Sequence, residues 1–215
     1  MNRSMIFAVA MAAALTAPAT SVTATEPVET AITNWVAAID AAPDWSATFD
    51  SLSYDRGTDT ALLSGLTIAY APTRITANFE PISVVGFVET PGDTFAIDLV
   101  ATDGATVVGE TFEATVADIR YEDLGNLSDN FTELVAWDSQ KPFTSLMRAY
   151  ARVLDIRLGR AEIGSLTMTA EDNGENVILS YEGLTLEDWA GGKIERITTG
   201  PFTMAAAGVG LKKPK

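Results

Sequence analysis

Five cations crowd one stretch of the chain: Lys141, Arg148, Arg152, Arg157 and Arg160 fall within 20 residues. Arg148 and Arg152 stand four apart, the spacing that places two side chains on one helix face. Paired guanidinium groups can grip a phosphate, a sulfate or a carboxylate. These five are the candidate site, for a lipid headgroup, a sulfated sugar or an acidic partner patch. The same spacing also suits a solvated helix face whose cations pair with the chain's many acids, each surface pair contributing about 0–1 kcal/mol. Lys212, Lys213 and Lys215 form a second basic group.

Other chemistry has less to build on. The acidic turns Asp55–Asp59 and Glu171–Asn176 cluster oxygens that suit calcium, but neither has the spacing of a calcium loop, and turn-forming glycine accounts for each. No metal site and no cofactor are expected. Glu110 with Glu113, and Glu122 with Asp123, are the carboxylate pairs nearest to general acid–base spacing; with 29 acids in 215 residues, neighbouring pairs arise by chance. Lys193 has no Ser-x-x-Lys string to serve. Trp35, Trp45, Trp137 and Trp189 each fall near the end of an element, where a ring can stack on a sugar, line an apolar groove or close a core. The chain has no His and no Cys. That excludes Ser-His-Asp and Cys-His catalysis, imidazole metal sites, thiolate chemistry and disulfides.

The first residues read as a secretory leader. Arg3 precedes an apolar run from Met5 to Leu15, then Pro18, then Ser21-Val22-Thr23-Ala24. Val22 and Ala24 occupy the positions read by signal peptidase, so cleavage is expected after Ala24. The apolar run is far shorter than the roughly 20 residues that span a bilayer. The expected compartment is the periplasm, or alternatively the exterior. Losing Arg3 takes the formal net charge from −15 to −16. Such a chain is repelled by phosphate backbones, so no nucleic-acid partner is expected. No later segment is long enough to cross a membrane as a helix.

Elements that would position these groups follow from periodicity. Ile32, Trp35, Val36 and Ile39 make one apolar stripe, predicting a helix over 28–42 that Pro43 stops. Period two then takes over. Strands are predicted from Trp45 to Phe49, from Leu52 to Tyr54 after a parity shift, from Leu62 to Tyr70, and over 74–79, 82–89, 94–100 and 105–121. In the last, Phe112, Ala114 and Val116 share one parity while Ile119 and Tyr121 share the other, which predicts a bulge near Ala117-Asp118. A short helix after Ser128 and a firmer one over 142–156, starting at Pro142, are expected next. Strands resume at 161–170, 176–187 and 193–206, with Asn173-Gly174 turning the first hairpin.

Two stretches look alike. Ala47-x-Phe49-x-Ser51-Leu52-Ser53 corresponds to Ala161-x-Ile163-x-Ser165-Leu166-Thr167. Leu63-Ser64-Gly65-Leu66-Thr67-Ile68 corresponds to Leu179-Ser180 followed by Gly183-Leu184-Thr185-Leu186. The expected organisation is a first helix-plus-meander unit over 25–138, a shorter second unit over 139–210, and a basic tail at 211–215. The fold class expected is α+β and β-dominated, with antiparallel curved sheet built from those two units.

A strand pair carrying Leu-x-Gly-Leu-Thr-Ile behind an amphipathic helix, in an exported chain, resembles the AsmA-type and related β-rich envelope proteins. The resemblance implies an elongated curved sheet with an apolar inner face and a role in lipid handling. It covers a few tens of residues, and the chain lacks the family's length and long repetition, so no functional residue is carried across. The function expected is non-enzymatic binding of an apolar or amphipathic envelope component such as lipid. The alternatives are an envelope protein-interaction module with an acidic surface and a carboxylate-based hydrolase with two acids about 5–10 Å apart.

Overall fold

The computed structural model describes residues 26–91, 94–128, 155–172 and 175–207. One helix leads into one antiparallel, unclosed sheet. The helix, α1 (Pro27–Asp40), starts with Pro in its first turn and a reciprocal cap between Glu26 and Glu29. Glu29 accepts the Glu26 backbone N–H at 3.1 Å, which satisfies a donor the helix itself cannot. Val28, Ile32, Trp35, Val36 and Ile39 are its buried stripe.

Twelve strand segments follow: β1 (Trp45–Thr48), β2 (Ser51–Asp55), β3 (Thr60–Ser64), β4 (Thr67–Tyr70), β5 (Ile75–Phe79), β6 (Ile82–Thr90), β7 (Thr94–Val108), β8 (Phe112–Ser128), β9 (Leu158–Asp172), β10 (Glu175–Ala190), β11 (Lys193–Thr199) and β12 (Phe202–Ala207). Their registers reduce them to eight long staves in chain order. β1 and β2 pair with β4 and β3 in one continuous register, so each couple is a single stave. The same holds for β5 with β6, which face β4 and β3, and for β11 with β12, which both face β10. Each stave pairs with the next, and the chain meanders from the first to the eighth.

Two creases cross this meander. The first runs through Asp50, Gly65, Glu80-Pro81, Asp103-Gly104, Asp118, Gly164, Gly183 and Gly200-Pro201, which the registers align. The second, five residues further along, aligns Gly86, Asp98, Asp123, Gly159 and Asp188. At the creases Gly65, Asp118 and Gly183, then Gly86, Asp123 and Asp188, take φ between +53° and +71°. A left-handed residue inside an extended strand bends it and moves the inward set from one parity to the other. On β8 the inward residues are thus Phe112, Ala114 and Val116, then Ile119 and Tyr121, then Leu124. About 17 Å of strand separates the two lines.

This corrects three expectations. The parity change at Ala117-Asp118 is no bulge, because Gly104↔Ala117 and Thr102↔Ile119 keep one register. The irregularity lies between Phe95 and Ile97, opposite Leu127 and Leu124, where β8 carries the extra residue. The strands expected at 94–100 and 105–121 are instead Thr94–Val108 and Phe112–Ser128. Asp103-Gly104 has the composition of a turn but sits in a crease, and the chain reverses at 109–111.

The core lies under α1. Its stripe meets Ala47, Leu63, Leu66, Ile68, Ile82, Val84, Phe95 and Ile97 from the first four staves. The Trp35 ring lies 4.8 Å from that of Phe95, and Val36 and Ile39 are wholly buried. Leu124 and Leu127 of the fifth stave still pack against this core, and the sheet continues beyond them.

Candidate functional site

Staves five to eight, β8 to β12, present two faces of opposite character. Cross-strand partners on the inner face form apolar rows. Ala114, Met168, Leu179 and Met204 stand side by side, as do Val116, Leu166, Tyr181 and Phe202, and Tyr121, Ala161, Leu186 and Ile197. Residues between them point outward and are mostly polar: Thr115, Thr167, Ser180 and Thr203 make one row, while Ile178 and Ala205 are apolar members of the next. Alternation along each strand produces the segregation, and the creases keep it in phase across all four staves.

Burial on the inner face falls toward the open end. Ala114, Ile119 and Ala161 are buried, whereas Ile197, Phe202 and Met204 are 56%, 62% and 66% exposed. An apolar surface that continues outward from a packed core and ends uncovered by any described residue is the arrangement of a binding face rather than of scattered surface leucines. Trp189 lies on this face between Leu158 and Ile194.

The outer face carries the charge. Glu122, Arg160, Glu187 and Arg196 are successive cross-strand partners of alternating sign. Arg160 Nη2 is 3.0 Å from Glu162 Oε2, Arg120 Nε is 2.6 Å from Glu122 Oε1, and Arg196 Nη1 is 2.7 Å from Glu187 Oε2. Of the five candidate cations, Arg160 therefore belongs to an ion-pair ladder. Arg157 is exposed and bridges to Gly125 through the backbone. Lys141, Arg148 and Arg152, with Trp137 and all but the last two residues of the helix expected over 142–156, lie outside the described residues.

The first acidic turn is occupied locally, and the second, Glu171–Asn176, lies partly outside the described residues. Asp55 accepts the Gly57 N–H at 2.8 Å and Asp59 accepts the Tyr54 hydroxyl at 2.5 Å, while Arg56 pairs with Glu26. The hydrogen bond to Asp59 raises the pKa of Tyr54. No group of three acids among the described residues is placed to hold a metal ion. Glu110 pairs with Arg74 at 2.5 Å; with Glu113 and Glu171 it borders an open polar depression on the outer face beside Thr167 and Thr169. Asp123 covers Gly159.

The sequence marked the cations as the candidate site and reached an apolar inner face only through the resemblance, without naming its residues. The signal was available in the alternation of 161–170, 176–187 and 193–206, but its continuity depends on registers that no single strand reveals. No protein family, no curated protein and no solved structure matches the chain. What the structure defines is a class: a β-dominated α+β protein whose helix Pro27–Asp40 packs on one end of a curved, unclosed antiparallel sheet. Among the described residues no helix is long and apolar enough to cross a membrane.

Proposed function

We propose that this chain is a non-enzymatic periplasmic protein, exported by cleavage after Ala24, that binds an apolar or amphipathic envelope component such as a lipid. The observation that carries the reading is the apolar inner face of staves five to eight, continuous with the core yet more than half exposed at Ile197, Phe202 and Met204. Acyl chains suit such a surface because burial is favourable by about 25 cal/mol per Å² and needs no directional partner. An apolar inner face on a curved sheet also accords with the resemblance to AsmA-type envelope proteins.

The second reading, an interaction module using the acidic surface, rests on the exposed carboxylates of the outer face. There the charges of Arg120, Arg160 and Arg196 are engaged with their own neighbours, whereas no described residue covers the end of the inner face. Native mass spectrometry of the purified chain tests the choice. Co-purifying lipid, or uptake of a fluorescent fatty acid or phospholipid, is the expected result. A clean protein that takes up neither sinks the proposal.

A further inference from the structure

We draw no further inference here: the strongest candidate, the row of uncharged hydrogen-bonding side chains that crosses the outer face of all eight staves from Thr48 to Thr203, is a sheet face with nothing in the structure to show what covers it.

Discussion

The carboxylate of Asp98 on β7 lies over the Cα of Gly86 on β6, filling the space that a side chain at position 86 would take. A Cβ there would stand 2.8 Å from Asp98 Cβ, and φ is +68°. Asp50 covers Gly65 in the same way, Asp118 covers Gly164, and Asp123 covers Gly159. The sheet thus bends where an aspartate on one strand meets a glycine on the next.

Gly86→Ala meets both a backbone penalty and a collision, and should lower stability by about 2–4 kcal/mol in urea denaturation. Adding Asp98→Gly removes the collision but not the positive φ, so the double variant should recover part of the loss. Gly191→Ala, where φ is +56° and nothing lies within 4 Å, should cost only about 1–2 kcal/mol. Equal losses at the two glycines would show that the carboxylate has no steric part in the crease.

These pairs also explain what the sequence disclosed. The stripe of α1 was legible because its five buried residues recur at helical spacing, and the strands because apolar residues alternate over long runs. The creases were legible only as parity shifts, and a parity shift does not distinguish an inserted residue from a left-handed one. Asp103-Gly104 illustrates the ambiguity, since its composition suits a reversal and the fold uses it for a bend. The likeness of Leu63–Ile68 to Leu179–Leu186 has a physical counterpart: Gly65 and Gly183 both sit at φ +71° on the first crease. Charge was the least informative guide to the candidate site. Arg160 stands out in an acidic sequence, yet its neighbours across the strands are Glu122 and Glu187, residues remote in sequence.

Asp40 Oδ1 accepts the backbone N–H of Ala47 on the first stave at 3.2 Å. Asp40→Ala should cost about 1 kcal/mol, the net worth of a hydrogen bond to a partly buried backbone donor. Its second effect concerns the edge. With the Ala47 N–H freed, the first stave gains a donor able to pair with another chain. Aggregation on heating should therefore begin at lower temperature than the loss of stability alone explains. Asp40→Asn, which retains an acceptor, should restore both.

Tyr121 faces Val100 and Ala161 on the inner side of the sheet, and burial raises its pKa above the ordinary 10.0. A group whose pKa is raised by folding contributes stability that is whole below the unfolded value and lost as pH rises through the folded one. Stability should therefore decline above about pH 10, where ionisation of Tyr121 favours the unfolded chain. Tyr121→Phe should flatten that decline in urea titrations and leave neutral pH unchanged. A wild-type slope in the variant would assign the alkaline loss to other groups.

Core and inner face should respond oppositely to truncation. Ile39 is wholly buried beneath α1, so Ile39→Ala removes packed methylenes and leaves a cavity, costing about 2–5 kcal/mol. Phe202 and Met204 are more than half exposed, so Phe202→Ser and Met204→Ser should each change stability by less than about 1 kcal/mol, because little of either side chain leaves water on folding. Their loss should show in binding instead. Uptake of a fluorescent fatty acid should weaken several-fold in the double serine variant while its unfolding midpoint stays near that of the wild type. Ile39→Ala, measured below its own midpoint, should keep wild-type uptake. If the double variant unfolds early, these residues belong to the core; if it folds and binds as before, the ligand lies elsewhere.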